Sequence, residues 1–211
     1  MIDAFYGIKL KPHRLFSEAG KSLPITEIAV APLTVVQVKT NEGDGYSAVQ
    51  VGVANQKTKK IGKTKIGHLK KLGQGSTYLP RFLREIRSEK AIELKASDQI
   101  TADQVFAVGD RVKVTGITKA KGFQGGVRRH GFAGGPRTHG QSDRERAPGS
   151  IGQTTTPGRV YKGKRMAGRM GSDRLTIRGL KVISLDTQKQ ILQVSGLIPG
   201  NSGRLVLIQK Q

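Results

Sequence analysis

The sequence predicts a mostly β protein whose strands form a small Greek-key barrel. Short segments rich in β-branched residues and bounded by glycine turns lie within residues 23–54, 110–118 and 174–210. A short basic and helical insertion and a long irregular glycine-arginine extension separate them. The predicted boundaries are residues 1–54, 101–118 and 172–211 for one barrel domain, 55–100 for the insertion and 119–171 for the extension.

The first group of strands precedes residue 55. Residues 23–30 and 33–40 are rich in isoleucine, valine and threonine, and Ala31-Pro32 separates them. The cluster NEGDG is typical of a turn, and the segment after it, 46–54, alternates between apolar and polar residues. Period-two alternation is typical of a half-buried strand, so we expect three strands here.

The second group of strands closes the chain. Residues 174–186 and 189–198 flank a tight turn near Asp186, and the turn PGNSG leads into a last strand at 204–210. Earlier in the chain, residues 110–118 form a further strand that begins at a Val-Gly-Asp turn. Short strands joined by glycine turns favour an antiparallel arrangement.

The insertion at 55–100 has two parts. Its first part is cationic and interrupted by glycines. In its second part, Phe82, Leu83 and Ile86 recur at helical spacing, and Pro80 stands where a helix begins. This pattern predicts a helix that starts at Pro80.

The glycine-arginine stretch, residues 116–171, lacks the means to form a core of its own. It contains half of the 28 glycines, and its twelve Lys or Arg residues face two acids, Asp143 and Glu145. Its few apolar residues follow neither period, so burial cannot offset the entropy of ordering the chain. A segment of this kind orders against an anionic partner, and nucleic acid is the leading candidate.

The composition of the whole chain supports the same partner. Its formal net charge is +22 and its pI is about 10.6, which attracts polyphosphate strongly. Cysteine is absent, and no apolar run approaches the ~20 residues that span a bilayer. Because the start also lacks the apolar core of a secretory signal, we expect a cytoplasmic protein without a membrane partner.

The sequence contains no group of residues that is typical of a catalytic site or a metal site. The four histidines are scattered, without neighbouring carboxylates or thiolates as co-ligands. His130 and His139 lie among arginines, so each is interpreted as an RNA contact or as a solvated loop residue. The chain contains neither a complete phosphate-binding loop nor a Ser-His-Asp pattern. We therefore predict neither an enzyme nor a cofactor.

RNA recognition relies on phosphate contacts and on bases stacked against side chains. Arginine grips phosphate through a planar fork, and glycine lets the backbone approach closely. Phe123 and Phe132 are spaced as separate stacking groups, and the alternative is that they pack on the barrel rim. The candidate RNA-binding residues are Lys119, Lys121, Phe123, Arg128, Arg129, His130, Phe132, Arg137, His139, Arg144, Arg146, Gln153, Arg159, Lys162, Lys164, Arg165 and Arg169.

Two consecutive segments of the extension resemble a known family. KGFQGGVRRHGFAGGPRTHG followed by RAPGSIGQTTTPGRVYKGKRMAGRMG closely resembles the bacterial type of large-subunit ribosomal protein L-three. The resemblance extends to VVQVKTNEGDGYSAVQVG near the start and to DRLTIRGLKVISLD and PGNSGRLVLI near the end. It therefore covers nearly the whole chain.

The resemblance implies a fold and a place in the ribosome. Members of this family have a six-stranded translation-protein barrel and bind 23S-type rRNA near its 3′ end, early in subunit assembly. Their extension, here 119–171 with a tip at 137–160, runs through rRNA toward the peptidyl-transferase centre. Their neighbours are ribosomal proteins L-fourteen and L-nineteen, with no DNA involved. Gln153 matches a glutamine that is N5-methylated in some bacterial members.

Two local features depart from the family pattern. Pro12, within Lys11-Pro12-His13, removes a backbone donor, so either the local turn or the pairing of this strand is expected to be disturbed there. Asp143 and Glu145 place acids among phosphates; we expect them to pair with Arg144 and Arg146, or to hold a hydrated Mg²⁺ associated with rRNA.

A functional alternative is a free-standing RNA chaperone or RNA-binding regulator. Such a protein would carry repeated low-complexity motifs, whereas the extension is non-repetitive. The sequence therefore favours a structural constituent of the large ribosomal subunit.

Overall fold

The computed structural model of the chain describes residues 2–16, 20–69, 78–87 and 94–211. These residues form twelve strands, three short α-helices and one 3-10 turn. The strands are β1 (Ala4–Phe16), β2 (Ser22–Ala29), β3 (Leu33–Lys39), β4 (Ala48–Lys57), β5 (Tyr78–Arg87), β6 (Gln99–Ile100), β7 (Arg111–Ile117), β8 (Phe123–Gln124), β9 (Gly168–Arg169), β10 (Arg174–Asp186), β11 (Ile191–Ser195) and β12 (Leu205–Lys210). The helices are α1 (Asn41–Asp44), α2 (Lys63–Leu69) and α3 (Gly126–His130), and the 3-10 turn spans Thr58–Lys60.

Two units make up the described chain. Unit 1 comprises residues 1–117 and 174–211, and unit 2 comprises residues 118–173. Unit 1 contains all the longer strands, which confirms the prediction of a mostly β protein.

Six strands of unit 1 close into an antiparallel barrel in the order β1-β12-β7-β10-β11-β2. Alternate residues of these strands point inward, and Phe5, Ile28, Val114, Leu192 and Ile208 are fully buried. The rings of Phe5 and Phe106 meet edge to face, with centroids 6.5 Å apart. Burial of these apolar side chains is the main force that stabilises the barrel.

The other strands of unit 1 form a second sheet in the order β5-β4-β3-β6. The prediction that residues 33–54 belong to the barrel is therefore wrong, because β3 and β4 pair with each other and with β6 and β5. Side chains of this sheet, such as Val35 and Val51, share one hydrophobic cluster with the barrel. Alternation predicts a strand and its buried face, but it does not specify which strands pair.

The prediction of a helix that starts at Pro80 is also wrong, because residues 78–87 form strand β5, which pairs with β4. Each face of β5 carries apolar side chains that pack into a cluster. Phe82 and Ile86 pack into the main core, whereas Leu79 and Leu83 pack into a second cluster with Leu69 of α2. Apolar residues that lie on both faces of a strand do not follow a period of two, so their spacing imitates that of a helix.

The insertion contains a helix, but at an earlier position than predicted. Helix α2 occupies the cationic stretch that the sequence analysis treated as interrupted by turns, and it buries Leu69. Residues 70–77 and 88–93 of the predicted insertion lie outside the described residues.

The disturbance expected at Pro12 is confirmed. Strand β1 runs through Pro12 and pairs with β2, but the register shifts between Lys9 and Pro12. A shift of this kind accommodates the residue that lacks a donor without ending the strand.

Unit 2 contains the predicted extension and has little regular structure. It consists of turns and bends, helix α3 and the two-residue strands β8 and β9, which pair with each other. Within residues 118–173, all of which are described, Gly126 is the sole buried residue. Across the described chain, no helix is long and apolar enough to cross a membrane.

Candidate nucleic-acid interface

The two ends of unit 2 are held together by an antiparallel ladder. The amide of Thr118 donates to the carbonyl of Asp173 over 2.9 Å, and the amide of Lys121 donates to the carbonyl of Met170 over the same distance. Beyond them, Phe123 of β8 lies opposite Arg169 of β9. Backbone pairing thus organises this segment without an apolar core.

Helix α3 is tied to the returning chain through one carbonyl. The Arg129 guanidinium donates to the Met166 carbonyl over 2.7 Å, and His130 Nε2 lies 2.9 Å from the same oxygen. We call this set of contacts the Met166 clamp. Because the Arg128 guanidinium donates to the side chain of Gln124 over 3.1 Å, all three residues have defined positions on one turn.

Phe132 packs inside unit 2 beside helix α3. Its ring lies against Gly126, where an added Cβ would come within 2.8 Å of the ring, and beside His130 at a centroid distance of 5.7 Å. Position 126 therefore requires glycine, because the Phe132 ring lies too close to the backbone for a Cβ atom. His130 and Phe132 are half-buried, and their contacts within unit 2 stabilise α3.

The two acids of the tip differ from expectation. Glu145 forms an ion pair with Arg137 rather than with Arg144 or Arg146. Asp143 accepts a hydrogen bond from the Ser142 hydroxyl over 3.1 Å. The Glu145 carbonyl also accepts from the amide of Gly135 over 2.8 Å, so the segment from 134 to 147 folds back on itself.

The remaining predicted residues present their side chains to solvent. The exposed members of the candidate set are Lys119, Lys121, Phe123, Arg128, Arg129, Arg137, His139, Arg144, Arg146, Gln153, Arg159, Lys162, Lys164, Arg165 and Arg169. Apart from Glu145, the tip has no acid paired to these cations among the described residues. Except at Arg137, the charge of these cations is therefore available to an external anion.

Exposed apolar side chains accompany the cations. Phe123 is 72% exposed and Tyr161 is 55% exposed, with Ile151, Val160 and Met166 also open to solvent. Ile151 was missed by the sequence analysis because a single apolar residue among glycines carries no periodic signal. Flat rings beside guanidinium groups are the combination on which nucleic-acid bases stack.

The described residues contain no group of three or more His, Asp or Glu side chains that is placed to hold a metal ion. His139 is exposed, and His130 is engaged by the Met166 carbonyl.

Comparison with known proteins identifies the family. The model of the family described as "Ribosomal protein L3" matches residues 34–196. The chain is 45% identical over 210 residues to "Large ribosomal subunit protein uL3" of Syntrophobacter fumaroxidans, covering 100% of this chain and 98% of that protein. The protein of the same name from Syntrophotalea carbinolica is 42% identical over 210 residues, with the same shares of both chains. That from Bacillus thuringiensis strain Al Hakam is 43% identical over 209 residues, covering 99% of this chain and 97% of the relative.

The chain belongs to the ribosomal protein L3 family. The L3 match includes all of unit 2, nearly all of the second sheet and three of the six barrel strands, β7, β10 and β11. The resemblance identified from the extension is thereby confirmed over the full length of the chain.

Sequence analysis of this L3 chain also missed a group of arginines in unit 1. Arg84, Arg174 and Arg204 line one cleft although they come from widely separated segments. No local motif connects them, so no signal in the sequence could have grouped them.

Proposed function

We propose that the chain is a structural constituent of the large ribosomal subunit that binds 23S-type rRNA. The observation that carries this proposal is the surface of unit 2. Its cationic side chains are exposed, and only one of its residues is buried. A surface of this kind gains little from folding alone and much from neutralising phosphates. Its family membership places the chain among structural proteins of the cytoplasmic ribosome rather than among enzymes.

In unit 2, some residues hold the backbone in place and others contact RNA. The Met166 clamp and the Phe132 packing hold α3, so Arg128 and its neighbours meet RNA from a partly ordered turn. Ordering before binding reduces the entropy lost on association. In the tip, Arg144, Arg146 and Arg159 are exposed and act as phosphate grips, and Gln153 makes a base-edge contact.

The finer proposals follow the family resemblance. The barrel is of the Greek-key translation-protein type, and residues 137–160 reach toward the peptidyl-transferase centre. The protein helps to nucleate subunit assembly and lies beside ribosomal proteins L-fourteen and L-nineteen. Exposure of the tip residues is compatible with their burial in RNA.

Gln153 is proposed as a methylation site. Its side chain is exposed within Gly152-Gln153-Thr154, so a modifying enzyme reaches it in the free protein. A hydrated Mg²⁺ is proposed near Asp143 only in the presence of rRNA, because phosphates would supply the other oxygen ligands.

Cofractionation tests the proposed function. A tagged chain expressed in a bacterium should sediment with the large subunit in a sucrose gradient at high salt, since an assembled protein remains enclosed by RNA. A chain found mainly in the free pool would contradict this proposal and favour the RNA chaperone. A variant in which glutamine replaces Arg128, Arg144, Arg146 and Arg159 provides the control, because its barrel is unchanged while its incorporation should fall.

A further inference from the structure

Unit 1 contains a cleft that unites four arginines from three separate parts of the chain. Arg81 and Arg84 lie on β5, Arg174 begins β10, and Arg204 precedes β12. The cleft has a volume of about 600 Å³, within the roughly 300–1,000 Å³ typical of small-ligand sites. One wall is the second sheet, and the other is the barrel.

Among the residues that the structure describes, the four guanidinium groups have no acidic counter-charge. All four side chains belong to exposed residues, and the described lining of the cleft contains no Asp or Glu. Within the described part of the chain, none of the four forms an ion pair with a carboxylate. Glu85, the neighbour of Arg84 on β5, is instead held by Lys39 and Tyr46, each over 2.8 Å.

Further positive charge lies close to the cleft. The Lys65 ammonium donates to the Arg81 carbonyl, and burial together with the charge of Arg84 lowers the pKa of Lys65. Burial raises the pKa of Tyr6, while the charges of Arg84 and Arg174 act in the opposite direction. Both arginines line the cleft together with Tyr6.

The cleft also offers apolar surface between its charges. Tyr6 and Phe82 line it and are half-buried, and Ile117 is 40% exposed. The Arg81 guanidinium lies 4.9 Å from the centre of the Phe82 ring, a cation–π arrangement that orients its fork. Rings flanked by planar cations suit a nucleotide, whose base stacks while its phosphates accept the forks.

One wall of the cleft is held from within the barrel. The buried Lys9 ammonium donates to the carbonyls of Ile198 and Gly200 over 2.6 and 2.8 Å. The backbone of Lys9 also exchanges hydrogen bonds with Gly203 and Arg204. The turn that carries Arg204 is thus fixed before a ligand arrives.

We propose that this cleft is a second RNA-binding site, separate in the chain from unit 2, which grips a single-stranded segment of rRNA by its phosphates and stacks a base near Tyr6 and Phe82. The inference rests on the proposed function, since it assigns part of the rRNA contact to unit 1. RNA is favoured over an acidic protein because the cleft combines aromatic faces with four arginines, and 25 of the 37 basic residues belong to unit 1.

The test compares two double variants of the full chain in binding to a 23S-type rRNA transcript. R84Q/R174Q removes two cleft charges. R111Q/R178Q removes two charges from exposed residues of β7 and β10 that do not line the cleft. All four residues are exposed, and circular dichroism should show unchanged folding for both variants.

The expected result is a change in salt dependence. Each lost contact to single-stranded phosphate lowers the slope of log affinity against log salt by about 0.7, so R84Q/R174Q should lose about 1.4. Between 50 and 200 mM salt, the factor by which its affinity falls should then be about seven times smaller than the factor for the wild-type chain. R111Q/R178Q should keep the wild-type slope.

Photo-crosslinking provides a second measurement on the wild-type chain. With a transcript that contains 4-thiouridine, we expect crosslinked peptides that contain Tyr6 or Phe82. One outcome would reject the cleft site: the wild-type chain binds the transcript tightly, both variants keep its salt slope, and the crosslinked peptides come from residues 118–173 alone. An acidic protein would then become the candidate occupant of the cleft. If wild type fails to bind the transcript at any salt, the proposed function itself is rejected, and the cleft site with it.

Discussion

Replacing Lys9 with methionine should destabilise unit 1 by removing two hydrogen bonds from its interior. Lys9 is 8% exposed, and its ammonium donates to the carbonyls of Ile198 and Gly200, which are themselves buried. Methionine fills the space of the aliphatic stem but donates nothing. Both carbonyls then lose a donor in a place that water does not reach.

The magnitude follows from these two hydrogen bonds. A hydrogen bond to a charged group contributes about 1.5–3 kcal/mol, so losing two costs about 3–6 kcal/mol. Removing a buried charge offsets part of this, because the ammonium no longer has to be desolvated. We expect a net loss of about 2–4 kcal/mol in the free energy of unfolding, or a decrease of roughly 5–15 °C in Tm.

Urea denaturation followed by circular dichroism measures the loss. The matched control is Lys11→Met on the same strand, where the side chain is exposed and the change should stay within about 0.5 kcal/mol. Equal midpoints for Lys9→Met and Lys11→Met would refute the conclusion that Lys9 holds the turn at 198–200.

Three further predictions concern RNA binding, the tip and pH. If 6–10 cations contact phosphates, affinity for rRNA should fall by about 10³–10⁵ between 50 and 200 mM salt, and a flat response in filter binding would contradict the phosphate-grip model. Deleting 137–160 removes no buried residue, so Tm should change by less than about 2 °C, while reconstituted subunits should be slow in peptidyl transfer; normal transfer would reject the role of the tip. Hydrogen bonds from Lys39 and Tyr46 hold the pKa of Glu85 below its usual 4.5, so the stability that Glu85 contributes is complete above pH 4.5 and is lost as pH falls through its folded pKa. The wild-type advantage over Glu85→Gln in urea denaturation should therefore shrink between pH 7 and pH 3, and a constant difference would show that the carboxylate is not held.

Strand positions could be predicted where one face is buried. Strand β10 begins and ends at the predicted residues, and β7 and β12 lie within one residue of theirs. Strand β1 was not predicted from its pattern, because Gly7 and Pro12 interrupt its alternation. Strand β5 was mistaken for a helix because apolar side chains on both of its faces pack into clusters.

The candidate site was predictable in composition but not in geometry. Exposure of most cations in the extension follows from their charge, which makes burial without a partner costly. The pairing of Glu145 with Arg137, eight residues away, depends on a reversal of the chain at 134–147. Likewise, the inward packing of Phe132 depends on how the chain after α3 turns back toward Gly126.

The sequence by itself determined the β class, the anionic nature of the partner and the family. These properties depend on local alternation, on turn residues and on net charge, which act without reference to distant parts of the chain. The tertiary structure alone decided which strands joined the barrel, that β5 is a strand, and that Arg84, Arg174 and Arg204 share one cleft. Each of these depends on contacts between residues far apart in sequence, and such contacts form only when the whole core is assembled.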